Sequence, residues 1–393
     1  MLSESGFKEF VAMHAGDDPV ALVLHRDRFP GIDVALAAEC IASRVKLLAK
    51  CPRWAEADIL CPVAVSAEQC SSEETAAYKA RLVTRILGGR QGRVADLTAG
   101  LGVDCAAFAG VSSSVLHNDR NELLSEATKL NFAALGIANA EFSSEDINSE
   151  SVASVISRFG PDLIFLDPAR RSADGGKVFR LADCSPNLLS LLPLPVETVV
   201  KVSPMADITQ LRREIGPSLS EIHIVAASGE CKEVLLRITP GFEGEPLIVK
   251  GDISFLPSEE AAASVEFGAL PKPGEWIFEP DKALLKAGCR NLVCERYNLR
   301  KLGPDVHIYA SSQPVAGLEP HGRWSQLLMS VPFSKRTAAD VAAQYPKSEL
   351  LCRGLKISTD ELRSRLKLKG GGPERILALG LGEKGNWILV ISG

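Results

Sequence analysis

The chain lacks an apolar run of membrane-spanning length, lacks any Cys-x-x-Cys pair, and lacks internal repeats or low-complexity tracts. The first absence excludes a spanning helix, which needs about 20 consecutive apolar residues. The second bears on ten cysteines, Cys40, Cys51, Cys61, Cys70, Cys105, Cys184, Cys231, Cys289, Cys294 and Cys352. Their irregular spacing suits reduced thiols better than a disulfide scaffold or a zinc site, so no metal is expected. The third excludes repeat arrays and linkers of biased composition. The opening MLSESGFKEF has no charged-then-apolar export pattern, and cytoplasmic residence is expected.

At 393 residues, 46% hydrophobic and 24% charged, the chain exceeds one comfortable core and is expected to divide into two to four modules. Its net charge of −5 conceals an asymmetry. From Arg323 onward twelve Lys or Arg face six Asp or Glu, giving +6; residues 279–322 give +1, and residues 1–278 carry −12. A basic tail behind an acidic body is the arrangement expected if the tail grips a polyanion while the body holds a cation. A solvated, charged helix is the other reading of the same residues.

Between Arg93 and Arg171 four patterns stand in order: VADLTAGLG, a strand ending at Asp119, SSEDI, and LIFLDPARR. Val94 and Ala95 deliver Asp96 to the carboxyl end of a strand, and Gly100 and Gly102 follow in a turn where a side chain would block a ligand. Val103 to Ala109 reads as the start of a helix. The next strand, Ser114 to Asn118, brings Asp119 about 20 residues past the glycines, where a carboxylate meets ribose hydroxyls. To this point NAD and S-adenosylmethionine fit equally. They separate at position 105, where a dinucleotide site wants a third glycine and the chain has Cys105, and at Asp104, which repels a diphosphate at the helix start. S-adenosylmethionine carries a sulfonium and an ammonium but no phosphate. A pocket near Asp96, Asp104, Asp119, Asp146 and Asp167 suits that charge.

On these residues, DLTAGLG, the acid of HNDR, EDI and LDPARR, the chain resembles the class I S-adenosylmethionine-dependent methyltransferases. It is similar in particular to a bacterial group with a THUMP-like C-terminal domain, in EQCSSEETAAYKARLV (68–83), KVSPMADI (201–208), AASGECKEVLLRI (226–238) and FEPDKALLKAG (278–288). The resemblance covers most of the chain after about residue 65. It implies an α/β fold with a seven-stranded Rossmann-like methyltransferase sheet, an N-terminal helical bundle and C-terminal α+β modules of ferredoxin-like and THUMP-like kind. It also implies S-adenosylmethionine as cofactor, held by Asp96, Thr98, Gly100, Gly102, Asp119, Asp146 and Asp167. In such proteins the segment before the first strand often lines the pocket, which draws attention to Tyr78 and Lys79; core packing explains Tyr78 as well.

Four regions are expected: helices over 1–70, the catalytic domain over 71–245, connecting hairpins and a ferredoxin-like module over 246–322, and a basic THUMP-like module over 323–393. Apolar residues at helical spacing (Phe7, Phe10, Val11, then Val34, Leu36, Ala37, Ile41) are broken at Asp17-Asp18-Pro19 and Pro30-Gly31. Ser71 with Glu74 has a capping-box spacing and predicts a helix through Ile86. Strands are predicted near 93–96, 114–118, 140–143, 162–167, 197–203, 221–227 and 233–239, the last two a hairpin that leaves the final strand antiparallel. Beyond Pro271-Lys272-Pro273-Gly274, WIFEP, LVCERY and VHIYASS read as strands with a helix from Asp281 to Ala287.

Chemistry is expected at Asp167-Pro168-Ala169-Arg170. Methyl transfer from a sulfonium is an in-line displacement with a neutral leaving group, so positioning supplies most of the acceleration. For a base amine as acceptor, the Asp167 carboxylate accepts hydrogens as the nitrogen pyramidalises, and Pro168 fixes the loop. Many amine methyltransferases end this tetrapeptide with an aromatic residue that stacks on a flipped base; here it is Arg170. The segment is also similar to that of uracil-C5 RNA methyltransferases, whose cysteine on the next strand is missing from VVKVSPM. Arg170, Arg171 and Lys177 are candidates for a substrate phosphate or for pairing with Asp174 or Asp183, and Lys201 is a further polar group at the opening or a strand-end lysine reaching solvent. Three functions fit the sequence: an RNA base methyltransferase with its tail docked on RNA, a methyltransferase for a protein or small molecule, or a noncatalytic RNA-binding protein keeping the fold.

Overall fold

The computed structural model describes residue 2 and residues 6–169, 181–227, 229–265, 267 and 269–393. Its contacts divide the chain into two compact units, Met1–Ile222 with Glu233–Glu245, and His223–Lys232 with Pro246–Gly393.

The first unit opens with helices α1 (Phe7–Met13), α2 (Pro19–Leu24), α3 (Val34–Lys50), α4 (Ala64–Gln69) and α5 (Glu73–Ile86). The break before α2 is made locally: Pro19 opens the helix with its fixed φ, and the Asp18 carboxylate accepts from Val20 N. Asp33 caps α3 in the same way through Leu36 N. At α5 the cap differs from the one the spacing predicts. Ser72, not Ser71, accepts from Thr75 N, because the Ser71 hydroxyl donates to Asp104 instead.

Strands β1 (Arg93–Asp96), β2 (Ser114–Asn118), β3 (Ala140–Ser143), β4 (Leu163–Leu166), β5 (Glu197–Val202), β6 (Leu219–Ala227) and β7 (Glu230–Ile238) follow, in sheet order β3-β2-β1-β4-β5-β7-β6. The first five are parallel, and β7 runs antiparallel to β5. Helices α6 (Val103–Ala109), α7 (Glu122–Ala134), α8 (Ser149–Phe159), α9 (Leu188–Leu191) and α10 (Ile208–Ile215) lie between them in the chain. β4 is buried at every position, which is why LIFL is uninterrupted apolar rather than alternating. The first helices do not keep a core to themselves: Phe7, Val11, Ala37 and Ile41 pack in one cluster with Leu60 and with Ala127 of α7.

In the second unit the hairpin end, residues 223–232, groups with β8 (Leu247–Lys250) and β9 (Ile253–Phe255), and β6 is followed in its sheet by β8 and β9. That sheet therefore counts nine strands where the pattern predicts seven. A second sheet of seven strands has the order β11-β12-β10-β13-β16-β15-β14. Its members are β10 (Trp276–Pro280), β11 (Arg300–Gly303), β12 (Val306–Ser311), β13 (Gly322–Pro332), β14 (Lys347–Arg353), β15 (Lys369–Gly380) and β16 (Asn386–Ser392). β10 pairs with β13, so the two C-terminal modules read from the sequence share one continuous sheet. Helices of this unit are α11 (Pro257–Ala262), α12 (Lys282–Ala287), α13 (Leu292–Tyr297), α14 (Lys335–Gln344) and α15 (Thr359–Leu366).

One segment has the opposite structure to its reading: LVCERY is α13, and the strand follows it as β11. The reason is distant in sequence. The Glu260 carboxylate accepts from the backbone N–H groups of Arg290, Asn291 and Leu292, satisfying the donors that a helix start leaves unpaired. Asn298, at φ 51°, then ends the helix. Among the described residues no helix is long and apolar enough to cross a membrane.

Candidate active site

The carboxyl ends of β1, β2 and β4 meet through backbone and side-chain bonds between their loops. Thr98 Oγ1 accepts from Asp167 N at 2.6 Å, and Leu97 N donates to Phe165 O at 3.1 Å, tying the glycine turn to the Asp167 loop. Gly100, at φ +56°, sits where an added Cβ would meet nothing within 4 Å. Its N–H donates to Asp119 Oδ2 at 2.9 Å, and its carbonyl oxygen is 3.0 Å from His117 Nε2 and accepts from Thr128 Oγ1 at 3.2 Å. The other Asp119 oxygen accepts from Asn121 N at 2.9 Å.

These loops border a cavity of about 980 Å³, near the upper end of small-molecule sites. Asp96, Thr98, Gly100, Asp119, Asp146, Asp167 and Pro168, all singled out from the sequence, line it together. Gly102 does not. It caps α6 at φ +76°, and a Cβ there would lie 2.5 Å from Thr128 Cγ2 and 3.0 Å from Phe132 Cε1, so the absent side chain makes room for α7 rather than for a ligand. Arg170, Arg171 and Lys177 fall outside the described residues. Lys201 stands behind the wall instead of on it: it is 5% exposed, and its ammonium donates to Asp167 Oδ2 at 2.6 Å. Burial alone would lower this lysine, but Asp167, Asp104 and Glu233 outweigh it and hold the ammonium above its ordinary value.

Sequence reasoning missed Asn118 here. Asn118, fully buried at the end of β2, uses both ends of its amide: Nδ2 donates to Leu97 O and Glu145 O, while Oδ1 accepts from Ser143 Oγ and Glu145 N. It thereby fastens the loops after β1 and β3 to β2, and its signal is a polar amide closing the apolar run SVLHN. Lys79, the polar member of the pair noted in α5, is 1% exposed and donates to Ser71 Oγ and to Glu233 Oε1 rather than lining the cavity.

The lining chemistry suits a cationic cofactor. Carboxylates of Asp96, Asp104, Asp119, Glu145, Asp146 and Asp167 border the space, and Arg120 is the only cation among the described lining residues. Asp104 is partly offset by Lys79, whose ammonium is 3.1 Å from Oδ1 without the alignment of a hydrogen bond; that oxygen is buried and has no hydrogen-bond partner among the described residues. Burial, then Asp104, pushes the Asp96 carboxyl well above its ordinary value, so a nearby positive charge would be needed to ionise it. A diphosphate would meet net repulsion from this lining. A sulfonium with an ammonium meets attraction, with Asp119 the acid for ribose hydroxyls and Asp96, Asp104 and Asp167 the acids for positive charge.

Residues 276–318 match a ferredoxin-like domain family, and residues 322–392 match a THUMP domain-like family. The chain is 30% identical over 335 residues to proteins from Mycobacterium tuberculosis strains CDC 1551 / Oshkosh and ATCC 25618 / H37Rv, covering 82% of this chain and 88% of theirs. Both are named as uncharacterized S-adenosylmethionine-dependent methyltransferases. A crystal structure from Porphyromonas gingivalis W83, provisionally named a methyltransferase, superposes with a TM-score of 0.83 at 28% identity, covering 98% of this chain and 96% of that one.

Proposed function

Because the chain belongs to the S-adenosylmethionine-dependent methyltransferases, we propose that it methylates a base in RNA, with the loop beginning at Asp167 positioning the acceptor. Bound S-adenosylmethionine supplies an activated methyl group whose departure leaves a neutral thioether. The chain's own task is then placement. Asp119 holds the Gly100 turn in its open, left-handed shape and offers its carboxylate to ribose hydroxyls. Lys201 fixes Asp167 through one oxygen. The other oxygen, without a hydrogen-bond partner among the described residues, accepts a hydrogen from an exocyclic amine as the nitrogen pyramidalises, which stabilises the developing positive charge.

The observation that carries this reading is that Asp167, Gly100 and Asp119 border one cavity. Covalent C5 chemistry is disfavoured by the thiols. Cys70 is the only cysteine among the described lining residues, and burial pushes it up, away from the thiolate that such an attack requires. RNA as the acceptor is supported by the THUMP domain-like match and by charge. In that stretch Lys335, Lys347, Arg353, Lys356, Lys367 and Lys369 are exposed and have no ion pair among the described residues, a pattern suited to phosphates.

The test is transfer of labelled methyl from S-adenosylmethionine to total cellular RNA, followed by mass spectrometry of the nucleosides. A methylated nucleoside should appear with the wild-type chain and vanish with Asp167→Ala. Label that enters protein in RNase-treated extract, with none in RNA, refutes the RNA reading and supports a protein acceptor.

A further inference from the structure

Behind the cavity wall, five ionisable side chains form an unbroken line within the first unit. Asp104 Oδ1 is 3.1 Å from Lys79 Nζ, Lys79 donates to Glu233 Oε1 at 2.7 Å, Glu233 Oε2 is 3.7 Å from Lys201 Nζ, and Lys201 donates to Asp167 Oδ2 at 2.6 Å. Lys79, Glu233 and Lys201 are 1%, 3% and 5% exposed. Only the two ends of the line, Asp104 and Asp167, border the cavity.

Such a line is an expensive way to fill a core, since apolar side chains of similar volume are commonly as stabilising as a buried ion pair. Val234 and Leu235, which follow Glu233 on β7, and Val200 and Val202, which flank Lys201 on β5, are buried apolar residues of the kind that a purely structural choice would repeat. The line instead links the acid beside the glycine turn to the acid of the 167 loop. We propose that Glu233 is a positioning residue: braced by Lys79, it holds the Lys201 ammonium against Asp167 and so orients the carboxylate that meets the methyl acceptor. This rests on the role given to Asp167 above. Residues of three elements separated widely in sequence carry it, α5, β5 and β7.

The experiment follows the lysine ammonium signals of the ¹⁵N-labelled full chain by NMR, with Glu233→Gln as the perturbation. Lys250 is the internal control; it is 3% exposed and donates to Asp281 in the second unit. In the wild type the Lys201 ammonium protons should exchange slowly with water. In Glu233→Gln their exchange should accelerate about tenfold or more, with Lys250 unchanged, and kcat for transfer to total RNA should fall about tenfold while KM for S-adenosylmethionine stays within about twofold. Unchanged Lys201 exchange in the folded variant overturns the proposal, as does acceleration shared equally by Lys250. Should Glu233→Gln fail to fold, Lys79→Met/Glu233→Gln removes one charge of each sign and is judged by the same signals. If the wild type transfers no methyl to RNA, the RNA reading fails while the exchange result still decides the role of Glu233.

Discussion

Replacing Asp119 separates two roles that the geometry assigns to one carboxylate. Its Oδ2 accepts from Gly100 N and its Oδ1 from Asn121 N, both at 2.9 Å. In Asp119→Ala the Asn121 N–H is exposed and regains water, so the structural loss is concentrated at Gly100, a part-buried donor left without its acceptor. A hydrogen bond to a charged group contributes about 1.5–3 kcal/mol, and the cofactor-free chain should lose about that much stability and no more. The turn should shift without unravelling, because the Gly100 carbonyl oxygen keeps Thr128 Oγ1 as a donor and His117 Nε2 as a neighbour. The second role adds to the first. If the same carboxylate holds the ribose hydroxyls, affinity for S-adenosylmethionine should drop by a further 1–3 kcal/mol, about 5- to 150-fold in Kd. Asp119→Asn distinguishes the two, since its one amide oxygen still accepts from Gly100 without the charge, while Asn121 N–H turns to water: it should lose less stability than Asp119→Ala while its affinity falls. Thermal melting and titration calorimetry measure both. A folded Asp119→Ala chain that binds the cofactor with wild-type Kd would leave Asp119 as a turn anchor alone and refute the ribose assignment.

Two further perturbations test the site's electrostatics and packing. Burial holds the Asp96 carboxyl well above its ordinary value, so folding favours the neutral acid; that contribution is complete below the unfolded-state pKa and is lost as pH rises through the raised folded value. Asp96→Asn cannot ionise, and the melting temperature of the cofactor-free variant should fall less steeply with pH across that upper window than the wild type's; parallel curves would show that Asp96 is not buried as a neutral acid. Gly102→Ala should cost about 2–4 kcal/mol, since left-handed backbone strain adds to collision with Thr128 and Phe132, whereas Gly100→Ala, with open space around its Cβ, should cost about 1–2 kcal/mol of strain alone. Denaturant unfolding compares them, and equal losses would contradict the packing role of Gly102.

The methyltransferase sheet was legible because its signals are local. VADLTAG, SVLHN and LIFLD each put an apolar run before a polar residue, and burial of β4 at every position permits no other pattern there. The break at Asp17-Asp18-Pro19 was legible for the same reason, the Asp18 acceptor lying two residues from its donor. Where local signals allowed two answers, the chain's distant parts chose. LVCERY has the β-branched and aromatic content of a strand, yet Glu260, 30 residues before Arg290, supplies the acceptor that lets it begin as a helix. Ser71 and Ser72 are both capable caps, and Asp104 takes the first.

By itself, then, the amino-acid order determined the succession β1 to β7, the glycine turn at Gly100, the acidic character of the body and the basic character of the tail, because each is a matter of composition or of spacing within about ten residues. Folding alone decided that Lys79 meets Glu233 across 154 residues, that Lys201 serves Asp167 rather than solvent, and that Gly102 makes way for α7. Buried ions are tolerated only where opposite charges come within a few ångströms. Which charges do so depends on the packing of β5, β7 and α5, and no periodicity along the chain encodes it.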